Sequence, residues 1–311
     1  MALIPTWVLL ALGAPALSAL GNFLDKFLLV RSERTGGIGS VLLFSCFFGT
    51  FVLPVAYALG DVTDVPAASA LILALNGMIW VATLATYLIA IRNDDVVSVL
   101  PTLQTVPFFG FVLGYLLLGE KLSLSEGVGS LIVVLCACIL SLEVESGVVR
   151  KFRWKSFLFA LLSAFLFSVS GVIFKFFALE HGFWETQFWE FMGISISGLL
   201  IFAILPGYRV GFISVIRDRR FDVIGLNLAT ELIMVSADLL LGYAVLLAPV
   251  ALVYSMNSFH PAFLLVFALV AALISPRFTN ELGFLRTHIP LKLVVIFTMI
   301  CGAALLNFDV L

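Results

Sequence analysis

Ten apolar runs, each about the length needed to cross a bilayer, divide this chain from end to end. They cover 6–30, 40–59, 67–91, 96–118, 124–142, 155–179, 187–206, 222–247, 249–274 and 289–307. A spanning helix needs about 20 mostly apolar residues to cross roughly 30 Å of hydrocarbon. Strands of a membrane barrel would alternate polar and apolar side chains, and these runs do not, so helices are expected. Connections of a few residues join the runs, with turn chemistry such as Gly36-Gly37 and Pro206-Gly207. The longest polar stretches, 207–221 and 275–288, are too short to fold as water-soluble domains. The expected class is therefore an all-α membrane protein with ten transmembrane helices.

Composition agrees: 62% of the 311 residues are hydrophobic and 12% charged, against roughly half and a quarter in soluble domains. One core could not hide so much apolar surface from water. A cytosolic enzyme, a secreted disulfide scaffold and a nucleic-acid binder are excluded, and the net charge of −2 leaves no basic stripe for phosphates. Cys46, Cys136, Cys138 and Cys301 lie within apolar runs with no metal-ligand spacing, and read as small hydrophobes. No metal and no cofactor is expected. Ala16-Leu17-Ser18-Ala19 resembles a signal-peptidase site, but no basic stretch precedes it and the apolar run continues past it, so cleavage is not expected.

The two halves of the chain resemble each other. Ala11 to Phe27 lies over Ala160 to Phe176, which sets Lys26 on Lys175. Phe44, Phe47 and Gly49 lie over Phe188, Phe191 and Gly193; Ala90, Val99 and Pro107 over Ala244, Val253 and Pro261; Cys136-Ala137 over Cys301-Gly302. Five runs followed by five more make the second copy enter the membrane from the opposite side. That predicts an inverted repeat, 1–149 and 150–311, with a transport site between the halves. Basic residues predict the orientation. The odd-numbered loops and the run ends beside them hold fourteen Lys and Arg, while the even loops and both termini hold only Lys121. This bias sets the odd loops in the cytoplasm and both termini outside.

Charges at membrane depth are costly unless paired or hydrated, so each is a functional candidate. Asn227, Glu231 and Asp238 are spaced by four and seven along one face of the eighth run. Two carboxylates there can carry a proton through a cycle or meet a cationic group. The plainer reading is structural hydrogen bonding to neighbouring helices. His260, between Asn257 and Pro261 in the ninth run, is either a hydrogen-bonded core imidazole or a substrate and proton group. Pro261 breaks the backbone ladder and frees a carbonyl; Pro101 and Pro107 do the same in the fourth run, with Gln104 between them. Lys26 and Lys175 end the first run of each half, where snorkelling to the headgroups is the default. The alternative makes them gate partners with Asp25 or Glu190 as counter-ions. Trp80, Tyr87, Tyr243 and Tyr254 either line a cavity or sit at the lipid interface. Gly110-x-x-x-Gly114 is a close-packing motif. No phosphate loop, hydrolase elbow, zinc-protease motif or channel filter is present, so no catalytic residue is expected.

Pro107, followed by Leu118-Gly119-Glu120-Lys121-Leu122-Ser123 and Glu126-Gly127-Val128-Gly129, is similar to the "proline, L-G-E-x-x-S, G" signature of the drug/metabolite transporter superfamily. The EamA-type ten-helix members are the nearest in pattern. Asn22-Phe23-Leu24-Asp25-Lys26 resembles a subset of them. The resemblance implies two five-helix repeats forming a basket. Runs three, four, eight and nine would line its cavity, and runs one, two, six and seven would gate it. Trp80, Gln104, Glu231, Asp238, Asn257 and His260 then fall on cavity helices. Two features depart from the pattern. The second half carries Leu273-Ile274-Ser275-Pro276-Arg277 where the L-G-E motif would recur. Family members of this type usually have both termini in the cytoplasm, whereas the charge bias here sets them outside.

The expected function is secondary active transport, as an exporter of a small organic metabolite by alternating access, with proton coupling at Glu231 or Asp238. One alternative is an uncoupled facilitator or exchanger of an anionic metabolite bound by Lys26 and Lys175. Another, of a different class, is a non-transporting membrane scaffold or lipid-associated protein. The expected surroundings are the lipid bilayer of a bacterial-type cytoplasmic membrane, a small-molecule substrate and a second copy of the chain as a homodimer partner.

Overall fold

In the computed structural model, residues 5–31, 37–93, 99, 102–141, 154–217, 221–274 and 289–305 are described. They form helices and connecting turns, with no strand among them. The helices are α1 (Thr6–Arg31), α2 (Gly37–Gly49), α3 (Val52–Leu59), α4 (Ala67–Asn93) and α5 (Val106–Leu113). A π-helical turn, Gly114–Leu118, extends α5. Then come α6 (Leu124–Ser141), α7 (Trp154–His181), α8 (Phe183–Ile204), α9 (Pro206–Arg217) and α10 (Phe221–Leu247). The chain continues through α11 (Val250–Asn257), α12 (His260–Ile274) and α13 (Ile289–Leu305).

Helix occupies each of the ten apolar runs. Among the described residues, six stretches are long and apolar enough to cross a membrane: Ile38–Leu59, Ala67–Arg92, Trp154–His181, Phe183–Ile204, Leu228–Leu247 and Val250–Phe267. Shorter apolar helices, Thr6–Asn22, Val106–Leu118, Leu124–Ile139 and Leu293–Leu305, fall in the other four runs. Outward faces carry large apolar side chains such as Phe51, Leu116, Leu124, Leu199 and Phe297, with Leu124 85% exposed. Such a surface is compatible with an integral membrane protein and suits lipid as its solvent.

Prolines account for the breaks inside the runs. A proline removes its own N–H and crowds the carbonyl four residues back. The chain accordingly turns at Thr50-Phe51 before Pro54, at Gln104-Thr105 before Pro107, and at Ser258-Phe259 before Pro261. In α1, by contrast, Pro15 sits within a continuous helix. The stretch 207–221, expected to be a polar connection, is largely helical as α9. Pro206 opens α9 with a φ already suited to helix, and the Phe212 ring packs on Phe44, Phe47 and Phe202.

Association between apolar helices in lipid depends on close contact and polar bridges, because burial from water adds little there. The longest contacts run between α1 and α10, α4 and α7, α4 and α8, and α6 and α13. Two glycines allow the α4–α8 contact: a Cβ on Gly77 would strike the Glu190 carbonyl, and one on Gly193 the Ala74 carbonyl. Hydroxyls bridge neighbours, with Ser163 donating to the Thr83 carbonyl and Ser168 to that of Val106, both at 3.0 Å.

Candidate functional site: an acidic interior cavity

A cavity of about 70 Å³ lies between α4, α7, α8, α10 and α11. Trp80 projects into it from α4, Ser170 and Phe174 from α7, Gln187 and Glu190 from α8, Asp238 from α10, and Tyr254 from α11. Its volume holds a few water molecules and falls well short of the roughly 300 Å³ at the lower end of ligand pockets. The resemblance implied a lining from runs three, four, eight and nine. Runs three, eight and nine do contribute, but runs six and seven take the place that run four was expected to fill.

Glu190 is the most closely held of the acids. Its side chain is 7% exposed. Asn76 Nδ2 donates to Glu190 Oε1 at 2.9 Å and also to the Ser170 carbonyl at 3.2 Å. The Ser170 hydroxyl approaches the same carboxylate oxygen at 3.4 Å. Asn76 is fully buried, and its Oδ1 has no hydrogen-bond partner among the described residues. Tyr254 closes one wall, with its ring 5.2 Å from that of Phe167 and its hydroxyl against Gly171. A Cβ on Gly171 would coincide with that hydroxyl.

Of the residues singled out from sequence, Trp80, Tyr254, Asp238 and Glu190 meet at this cavity, and the others lie elsewhere. Glu231 accepts a hydrogen bond from the Ser45 hydroxyl at 2.8 Å, which ties α10 to α2. His260 Nε2 lies 2.9 Å from Asn22 Nδ2, linking α12 to α1. Gln104 is buried in the turn before α5, and Asn257 ends α11 at the break before α12. Tyr243 is 46% exposed and packs edge-on to Phe183, while Tyr87 packs beside Ala90, Val99 and Ala160. The side chains of Asp25, Lys26 and Asn227, together with Pro101, lie outside the described residues.

Lys175 departs from the snorkelling expectation and from the proposed pairing with Glu190. It is 7% exposed. Its ammonium contacts Glu120 Oε1 at 2.6 Å and donates to the Ala248 carbonyl at 2.7 Å. Glu120 Oε2 in turn accepts from the Val250 N–H at 2.8 Å. The glutamate of the L-G-E motif thus joins α7 to the Ala248-Pro249 link between α10 and α11. Gly119, at φ 67°, supplies the left-handed residue that ends the π-turn and sets Glu120 in place.

Sequence reasoning passed over Asn76, Ser170 and Gln187. An asparagine in the middle of the third run is a polar group at membrane depth, and that was a usable signal. Ser170 and Gln187 carry no such mark, because serine and glutamine are common at helix contacts in membranes.

No protein-family model and no curated protein matches the chain. Among solved structures 24 chains match. One, a protein of known crystal structure, is 13% identical over 96% of both chains, with a TM-score of 0.65. At that identity the likeness concerns the fold alone: a helical body compatible with membrane insertion, here enclosing a small acidic cavity.

Proposed function

We propose that the chain is a secondary transporter of a small organic metabolite, working as an exporter by alternating access and coupled to protons. In this reading it is a ten-span protein of the EamA type within the drug/metabolite transporter superfamily. The observation that carries the reading is the cavity: two carboxylates, Glu190 and Asp238, placed in the interior of an apolar helical body. Acids at such a depth are expensive to maintain and belong to ion or substrate pathways by default.

Further features support the finer points. The four shorter apolar helices occupy the runs not counted among the six long spans, which favours ten crossings. Helix pairing is matched across the halves. The α1–α10 contact has its counterpart in α7–α4, and α1–α12 in α7–α5. The fourth run of each half breaks just ahead of its proline, Pro107 or Pro261, as broken helices do in inverted-repeat transporters. The even-numbered connections gather at one end. Asp61 N–H donates to Glu185 at 3.0 Å, Trp189 Nε1 donates to the Val62 carbonyl at 3.2 Å, and Glu120 reaches Lys175 and Val250. Lys121 is the single basic residue in the even loops, which favours an external location for that end and for both termini.

The cavity has room for only a few waters, so accommodating a substrate requires the halves to rock apart. Asp238 and Glu190 face the cavity and carry protons or substrate charge, whereas Glu231, bonded to Ser45, acts at the α2–α10 contact. Transport of this kind needs no cofactor and no covalent step. An anion carrier using Lys175 is disfavoured, because that ammonium is already committed to Glu120 and Ala248.

Proteoliposomes loaded with a metabolite mixture, assayed with and without a pH gradient, test the proposal. Gradient-driven flux is expected, and it should fall at least tenfold in Asp238→Asn and Glu190→Gln, which remove groups acting as a charge relay. Full flux in both variants would falsify proton coupling at this cavity.

A further inference from the structure

We infer that the cavity binds the ammonium group of an organic amine, held between Glu190 and Asp238 and faced by the rings of Trp80, Phe174 and Tyr254. The inference rests on the transport reading for why such a cavity exists, and it names the substrate class.

Charge comes first. The lining contains two carboxylates and no Lys, Arg or His. Lys175, the buried base among the described residues, is bound to Glu120, and His260 is bound to Asn22 away from the lining. Carboxylates withdrawn from water demand either a proton or a cationic partner. A ligand bearing its own carboxylate would bring a further negative group into the same space.

Hydrogen-bond capacity points the same way. Glu190 and Asp238 bring carboxylate acceptors to the lining, and Asn76, outside that lining, donates to Glu190 Oε1. The site is thus rich in acceptors, with Gln187 supplying an amide donor at its edge. An ammonium group brings up to three N–H donors and no acceptor, which complements that inventory. Aromatic faces attract cations through the ring quadrupole, and the effect grows where water is excluded. Size sets the last limit. About 70 Å³ admits an ammonium and its first carbons, so the apolar remainder of the ligand fills space that opens between the helices.

Three compounds sharing one phenyl ring separate the possibilities: phenethylamine, phenylalanine and phenylacetate. Thermal unfolding of the purified full chain in detergent reads binding, and counterflow in proteoliposomes reads transport. Phenethylamine is expected to raise the unfolding temperature in a saturable way, phenylalanine to do so less, and phenylacetate not at all. Glu190→Gln and Asp238→Asn should each weaken the amine's apparent affinity at least about tenfold, the usual consequence of losing a charge-assisted hydrogen bond. The unmodified chain decides the matter even where a variant fails to fold. Stabilisation by phenylalanine or phenylacetate equal to that by the amine overturns the inference. So does the absence of any shift with phenethylamine up to millimolar concentration, or an amine affinity unchanged in both folded variants. Amine binding without counterflow keeps the amine site and removes the transport reading. Counterflow of the amino acid or the acid without amine binding does the reverse.

Discussion

Gly171 shows how much a single atom decides in this interior. The Tyr254 hydroxyl occupies the place a Cβ would take, so Gly171→Ala forces the ring away from the cavity wall and away from Phe167. Overpacking of this kind costs about 1–3 kcal/mol, and thermal unfolding in detergent should report a lower midpoint for Gly171→Ala. Restoring space with Gly171→Ala/Tyr254→Phe should recover part of the loss; if the double variant is no better than the single, the collision is not its source. Asn76 acts through hydrogen bonding instead. Asn76→Ala leaves Glu190 and the Ser170 carbonyl without their amide donor, a loss of roughly 1–3 kcal/mol for buried groups. Equal unfolding midpoints for Asn76→Ala and the unmodified chain would contradict that role. At this scale the sequence announced Asp238 and Trp80 by their depth in apolar runs. It offered Glu190 only as one alternative counter-ion for lysine, because linear spacing carries no information on which of two distant acids faces a given base. Lys175 in fact meets Glu120, which the sequence marked only as part of the L-G-E motif.

That ion pair matters at the scale of elements. Lys175 on α7, Glu120 after the π-turn and the Val250 N–H that begins α11 form one connected set. Removing one partner strands the other charge away from water, a loss of about 3–5 kcal/mol, whereas removing both is far milder. Lys175→Met should therefore unfold at a distinctly lower temperature than Lys175→Met/Glu120→Gln, in which the new amide oxygen can still accept from Val250. Additive effects would show that the two groups act independently. The helix α9 is a second element-scale case. Its Val210, Ile213 and Ile216 are exposed while Phe212 anchors it inward, the arrangement of a helix lying in the headgroup region. A tryptophan at Ile213→Trp should emit at blue-shifted wavelength in vesicles and be quenched by brominated lipid; water-like emission would place this face outside the membrane. An apolar stretch of about 20 residues marks a spanning run, but a short basic segment such as 207–221 reads as a connection until its aromatic anchor is known.

For the molecule as a whole, the distribution of charge makes the broadest prediction. With fourteen basic residues in or beside the odd loops against one in the even loops, a periplasm-active reporter fused after Leu311 should be active and a cytoplasm-active one silent. The opposite pattern would overturn the orientation. Helix content and the apolar character of the spans were legible in the chain, because lipid demands that each segment satisfy its own backbone hydrogen bonds locally. Local demands leave local marks. Prolines marked the breaks for the same reason, since a missing N–H acts within one turn. What only the tertiary structure decided is which polar groups face one another. Asp238 joined Glu190 at the cavity, Glu231 went to Ser45, His260 to Asn22, and Lys175 to Glu120. Those pairings depend on how helices rotate about their axes and on glycines that let backbones touch. The apolar surface of a helix in lipid constrains that rotation weakly, so close packing and a few buried hydrogen bonds make the choice.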